Sequence, residues 1–158
     1  MKSNLISKSE TAKIFEGLNT QWKIDVPKQK NVRTHQIDEK GVIITGNGIT
    51  AVKIGEDILP FLGDVPILEK FPYVIVDMGA IKFVCKGANI MRPGITKFSD
   101  FDRDEIVCVV EESQNKFLAV GKAEMSSKEL DDTSKGEVIK NMHYISDDFW
   151  ESKKEIKD

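Results

Sequence analysis

The apolar stretch ILPFLGDVPILEKFP, residues 58–72, is broken by Pro60, Pro66 and Pro72. A proline has no backbone donor and its ring collides with the preceding helical turn, so this run cannot form one long helix. It reads as a connector with a short helix near 65–70. The strand-like run YVIVD begins directly after Phe71-Pro72, which places a boundary there. A chain of 158 residues is long enough for one ordinary domain or two small ones. The predicted organisation is a small N-terminal unit over 1–72, a second unit over 73–152 and a terminal tail over 153–158.

Before the boundary the pattern mixes helix and strand. Ile14, Phe15, Leu18 and Trp22 recur at helical spacing, and Ser7 or Ser9 suits the N-cap. This predicts a helix over 8–20, with Leu5 and Ile6 ending a short strand before it. NVRTHQID, GVIIT and ITAVKIG follow as strand-like runs, and Gly46-Asn47-Gly48 between the last two is a hairpin turn signal. After the boundary, strands predominate. EIVCVVEE and KFLAVGKAEM are joined by the polar turn Ser113-Gln114-Asn115. SSKELDDTSKG reads as a helical turn capped by Ser126 or Ser127, and VIKNMHYISD as a last strand. The terminal DDFWESKKEIKD is expected to fray at its end. Many short strands separated by turns predict a barrel. The fold class is therefore α+β, a small N-terminal α+β domain followed by a C-terminal β-barrel.

Hydrophobic residues make up 40% of the chain and charged residues 31%, a soluble composition able to bury a core. No apolar run reaches the roughly 18 residues needed to cross a bilayer. The N-terminus MKSNLISKSETAK lacks the apolar region of a signal peptide, so a cytoplasmic protein is expected. The net charge of −3 argues against coating nucleic acid by bulk charge. Its distribution is more telling. Between Asp77 and Asp100 the chain has Lys82, Lys86, Arg92 and Lys97 and no acid, a stretch of +4 that leaves −7 on the rest. A shorter acid-free stretch between Asp25 and Asp38 holds Lys28, Lys30 and Arg33. Such clusters are ordinarily solvated faces, yet they localise where an anionic partner would bind.

Catalysis has little to work with. It needs a nucleophile beside a base, paired acids, or clustered metal ligands. His35 and His143 are isolated, and His143 within a strand reads as a core or hydrogen-bonding residue. Cys85 and Cys108 sit in apolar segments as buried reduced thiols. No CxxC or His-x-x-x-His spacing exists, so no metal or cofactor is expected. Asp77, beside a glycine turn, is expected to accept hydrogen bonds from the Gly79 and Ala80 amides. Trp22 and Trp150 read as aromatics covering the core, while Phe98 and Phe101 are open between packing and ligand contact.

Residues 77–95, DMGAIKFVCKGANIMRPGI, carry the most specific pattern. In GAIKFVCK, Ile81, Val84 and Cys85 share one helical face and Lys82 and Lys86 the other, so the lysines point away from the core. Gly87 suits a helix end in the left-handed region, Ala88 permits close backbone approach, and Pro93-Gly94 turns an otherwise extended ANIMRPGI. An acid before Gly-Ala, a short helix ending at Gly-Ala and a strand leading to Pro-Gly resemble the signature of the PUA domain, named for pseudouridine synthase and archaeosine transglycosylase. GAIKFVCKGANIMRPGIT, AVGKAEMSS and KNMHYISDDFW are more closely similar to the malignant T-cell amplified sequence family of translation proteins and its archaeal relatives. The similarity is strong over 71–150 and extends over 1–70 in layout only.

That resemblance implies a PUA-type barrel behind the N-terminal domain, in a non-catalytic protein that binds RNA in translation. PUA domains generally hold RNA against the short helix and the strand after it, often at a tRNA acceptor end. Carried onto this chain, the surface is Lys82, Lys86, Gly87, Ala88, Asn89, Met91, Arg92 and Lys97. Lysine and arginine would meet phosphates, Asn89 a base edge or sugar hydroxyl, and Met91 a base. The implied partners are tRNA or small-subunit ribosomal RNA, together with a density-regulated-protein-like translation factor. The competing reading is an adaptor that binds a translation factor with little RNA contact of its own, using ILPFLGDVPILEKF as an exposed docking patch.

Overall fold

The computed structural model describes residues 1–46 and 48–157. Asn47, at the tip of the predicted hairpin, and Asp158, at the end of the tail, lie outside the described residues. The chain opens with β1 (Lys2–Leu5) and α1 (Lys8–Trp22). Ser7 rather than Ser9 caps the helix, its hydroxyl accepting from the Glu10 amide at 3.1 Å. Next come β2 (Arg33–Ile37), β3 (Gly41–Gly46), β4 (Ile49–Ile54) and β5 (Asp57–Pro60). These five strands pair antiparallel in sequence order, β1-β2-β3-β4-β5. β5 was hidden in the connector because it is short and ends in proline, which an edge strand tolerates.

The period-two alternation of β3 to β5 gives this sheet two apolar faces. On one, Ile44, Ala51 and Ile58 meet Phe15, Leu18 and Trp22 of α1. The Trp22 indole also donates to the Ile58 carbonyl at 2.7 Å, which satisfies its polar atom inside the core. On the other face, Ile37, Ile43 and Val52 meet Phe61 and Phe149. Phe149 belongs to α5 (Asp148–Lys153), so the end of the chain folds back onto the N-terminal sheet. Each such apolar side chain contributes about 1.5–3 kcal/mol when fully buried.

After α2 (Val65–Leu68) the second half builds β6 (Tyr73–Val76), a 3-10 turn at Met78–Ala80, and α3 (Ile81–Val84). β7 (Ile90–Met91), a second 3-10 turn at Arg92–Gly94, and β8 (Ile95–Phe98) follow. Then come β9 (Ile106–Glu111), β10 (Phe117–Ala123), α4 (Ser127–Asp131) and β11 (Glu137–Tyr144). The strand order is β7-β11-β10-β9-β6-β8, parallel only between β6 and β9. β7 and β8 are opposite edges of this sheet, yet only the turn Arg92–Gly94 separates them in the chain. The sheet must therefore curl until its edges nearly meet, which makes the predicted barrel. Ser126 caps α4 in a capping box with Glu129. Ser127 is buried and bonds Phe101, which is itself core, so Phe101 packs rather than projecting toward a ligand.

The connector is the seam between the halves. Leu62, Leu68 and Phe71 share one cluster with Ile106, Cys108 and Val120 of the barrel. Val65, 43% exposed, is its one exposed large hydrophobic among the described residues. Most of the connector's apolar side chains are thus spent on joining the two halves, while Val65, Leu68 and Phe71 also line an open cleft of about 560 Å³. Burial also pushes the Cys108 thiol up to about 12, in keeping with an unreactive reduced cysteine. His143 completes the seam. Its Nε2 accepts from the Leu62 amide at 3.1 Å, while Nδ1, which must then carry the proton, donates to Asp147 Oδ2 at 2.8 Å.

The turn from β9 to β10 is organised by one carboxylate. Glu111 accepts from the Ser113 hydroxyl and from the Ser113, Gln114 and Lys116 amides, at 3.0, 2.7 and 3.0 Å for the three amides. The Ser113 hydroxyl, with these amides, pulls its pKa from 4.5 down to about 2. A depressed native value contributes stability present above the unfolded value and lost as pH falls from about 4.5 through about 2. Titration followed by amide NMR should leave the Ser113 and Gln114 signals steady until well below pH 4. Movement of both at an ordinary glutamate midpoint would show that the carboxylate is not held this way.

Candidate nucleic-acid interface

The barrel closure builds a surface from residues 77–94. Asp77 starts it as a cap, its Oδ1 accepting from the Ala80 amide at 3.0 Å, so the Ala80 half of the expected bonding is what closes the turn. The Asp77 amide in turn donates to the Gly94 carbonyl at 2.9 Å, tying the start of the surface to its end. α3 then presents Val84 to the core, with Ile81 and Cys85 packed behind it. Lys82 and Lys86 are exposed on the opposite side, as the helical spacing required.

The helix stops through a pair of bonds from the Gly87 amide to Val84 and from the Ala88 amide to Phe83, both 3.0 Å, which is the Schellman arrangement. It needs a left-handed residue, and Gly87 has φ +94. A Cβ there would also lie 3.0 Å from the Tyr144 ring. Glycine is required twice over.

Beside α3 lies a cleft of about 480 Å³ floored by Ala88, Pro93 and Gly94 and walled by Phe83 and Met91. Phe83 is 56% exposed, and Met78 and Met91 are each 49% exposed. Large apolar side chains left in water around a cleft mark a binding surface. The Lys82 ammonium sits 5.1 Å from the Phe83 ring centroid, so charge and aromatic face are offered together. Phe83 and Met78 were missed in the sequence although a signal existed. Once Ile81, Val84 and Cys85 take the buried side of α3, Phe83 has nowhere to point but outward.

Two of the expected ligands are engaged in internal bonds, and a third lies at another cleft. Asn89 has both ends engaged, Nδ2 donating to Glu137 Oε1 and Oδ1 accepting from the Asn141 amide, each at 2.9 Å. It anchors the cleft to β11 rather than facing a base edge. Arg92 donates through Nε to the Leu130 and Thr133 carbonyls at 3.0 and 3.1 Å, and through Nη1 to the Ile95 carbonyl at 3.2 Å. Its guanidinium lies 5.7 Å from the Phe98 ring centroid. Arg92 therefore staples the closing turn to the loop after α4 instead of awaiting a phosphate, and Phe98 is its packing partner. Lys97 is exposed but borders a different cleft, with Tyr73, Ile75 and Phe117. What the structure brings together is Lys82, Phe83, Lys86, Gly87, Ala88 and Met91.

Among the described residues no group of three His, Cys, Asp or Glu could hold a metal ion. Ser3 Oγ lies 2.8 Å from His35 Nδ1, and the other ring nitrogen meets the Thr45 hydroxyl at 2.9 Å.

A curled six-stranded barrel closed by a Pro-Gly turn, with a capped short helix at the closure, is the architecture of a PUA-domain protein, and the PUA domain model matches residues 72–145. Similarity extends beyond that domain. Malignant T-cell-amplified sequence 2 of Homo sapiens is 33% identical over 163 residues, covering 97% of this chain and 90% of that protein. Translation machinery-associated protein 20 of Schizosaccharomyces pombe is 34% identical over 135 residues, covering 80% of this chain and 75% of that protein. The crystal structure of a hypothetical protein from Pyrococcus horikoshii matches with a TM-score of 0.79 at 25% identity, over 96% of this chain and 99% of that one. The chain belongs to the malignant T-cell-amplified sequence family.

Proposed function

We propose that this chain is a non-catalytic RNA-binding protein of the translation machinery, acting in the cytoplasm, and that it holds RNA on α3 and the cleft beside it. The observation that carries the reading is the exposed Phe83, set between Lys82 and Lys86 at the mouth of a cleft that also exposes Met91. Lysines meet phosphates without reading sequence, and an aromatic face stacks an unpaired base. The combination suits the single-stranded end of a structured RNA, such as a tRNA acceptor end, or an unpaired segment of small-subunit ribosomal RNA. Asn89 and Arg92 act from behind by fixing the cleft. The adaptor reading keeps the cleft lined by Val65, Leu68 and Phe71 as a surface for a density-regulated-protein-like factor, but most of the connector's apolar area is buried between the halves.

Binding of deacylated tRNA and of a small-subunit RNA fragment should be saturable and weaken with salt. With two lysines on phosphates of a single strand, the slope of log K against log salt is about −1.4. Lys82→Ala with Lys86→Ala should flatten that slope, and Phe83→Ala should weaken binding by about tenfold or more through lost stacking, roughly 1–3 kcal/mol. Arg92 is left intact because its loss would disturb the fold. Absence of binding by the wild type, or unchanged binding by both variants, would reject this face as the RNA site.

A further inference from the structure

We propose that a second cleft, between the start of α1 and the loop before β2, receives an acidic segment of a partner protein that carries a large apolar side chain. The cleft measures about 580 Å³ and is formed by Leu5 and Ile6 with Lys8, Lys28 and Lys30 around them. Leu5 is 55% exposed on β1, an edge strand. Arg33 stands directly opposite Leu5 in the β1–β2 ladder and adds a fourth cation to its surroundings.

None of these four cations forms an ion pair within 4.0 Å among the described residues, although the protein as a whole is acidic at −3. The nearest acid along α1, Glu10, lies beside the Ser7 hydroxyl and borders a different groove. The loop that holds Lys28 and Lys30 is itself pinned. Val26 and Val32 at its two ends are buried, and the Val26 amide donates to Asn19 Oδ1 at 3.0 Å. Unpaired lysines on an anchored loop keep their positive field fixed in place, which favours an anionic partner and speeds its encounter.

The floor decides between anionic partners. Leu5 and Ile6 are aliphatic, and no aromatic residue lines this cleft. A nucleic acid would find phosphate contacts here but no ring on which to stack a base. A peptide with carboxylates flanking a leucine or phenylalanine satisfies both parts, its apolar side chain covering Leu5 while its acids reach the lysines. This surface is separate from the RNA face on α3, so the two ligands can be tested independently.

The test is amide NMR of the labelled full chain, titrated with a synthetic glutamate-rich peptide carrying a central Leu-Phe pair. The same peptide with Ala-Ala at its centre and an oligouridylate serve as comparisons. The Leu-Phe peptide should shift the amides of Leu5, Ile6 and residues 28–31. Lys28→Glu with Lys30→Glu, both exposed, should weaken it by about tenfold or more, and the Ala-Ala peptide should also bind less tightly. Lys82→Ala with Lys86→Ala should leave peptide binding unchanged. If the peptide does not shift these amides, or binds the charge-reversed variant equally, the proposal fails. It fails equally if oligouridylate shifts them in place of the peptide, which would make the cleft a nucleic-acid contact.

Discussion

Gly121→Ala should destabilise the protein severely. Gly121 lies in β10, which is bonded to β9 on one side and β11 on the other. A Cβ at this position would sit 1.9 Å from the Lys140 carbonyl oxygen and 2.9 Å from Ile139 Cγ2. A backbone oxygen on a paired strand cannot swing aside as a side-chain tip can. β10 cannot retreat either, because moving from β11 presses it toward β9. Relief therefore means unpairing part of the barrel, at a cost on the order of 3 kcal/mol or more. Against a total stability of about 5–15 kcal/mol this is a large fraction. Gly79→Ala supplies the contrast, since its Cβ would meet only the Asp77 carboxylate, at 3.3 Å. Chemical denaturation should show a large loss of midpoint for the first variant and a small one for the second. Losses of similar, small size would mean that β10 and β11 do not approach so closely.

Gly121 also shows where the sequence stopped being informative. Within KFLAVGKAEM it looks like an ordinary weak spot in a strand, because the atom that requires it comes from Lys140, on another strand. Gly87 was legible for the opposite reason. Its requirement is local, the left-handed end of a helix whose apolar face the spacing of Ile81, Val84 and Cys85 had already revealed. The same division separates the site residues. Lys82 and Lys86 follow from helical period alone. Asn89 and Arg92 are residue types that bind RNA as readily as they bind carbonyls, and apart from Ile95 their side-chain hydrogen-bond partners lie 38 to 52 residues away in the chain. The short elements β5, β8 and α5 have too few residues to display a period, so their existence emerged only from packing.

The second large effect concerns the joint between the halves. His143 is fully buried, stacks on Phe61 at 5.4 Å and meets the edge of Phe149 at 6.0 Å. Its two ring nitrogens join Leu62 of the connector to Asp147 at the cap of α5. His143→Ala removes the packing and both bonds, and should cost about 3–5 kcal/mol. His143→Phe keeps most of the volume but strands the Leu62 amide, so it should cost about 1–3 kcal/mol. Hydrogen exchange at the Leu62 amide separates the two contributions. Both variants should expose it early, while amides in the centre of β10 open only with global unfolding. If the phenylalanine variant retains full protection at Leu62, the imidazole bond adds nothing to the joint beyond packing and the Lys122–Asp57 ion pair. If protection is lost, the imidazole secures the connector to the barrel alongside the shared apolar cluster. The strand that carries His143, β11, also carries Asn141, whose side-chain amide nitrogen donates to the Ala88 carbonyl at 3.0 Å behind the proposed RNA face. Loosening the joint would then be felt at the cleft, as weaker RNA binding from a residue that never touches RNA.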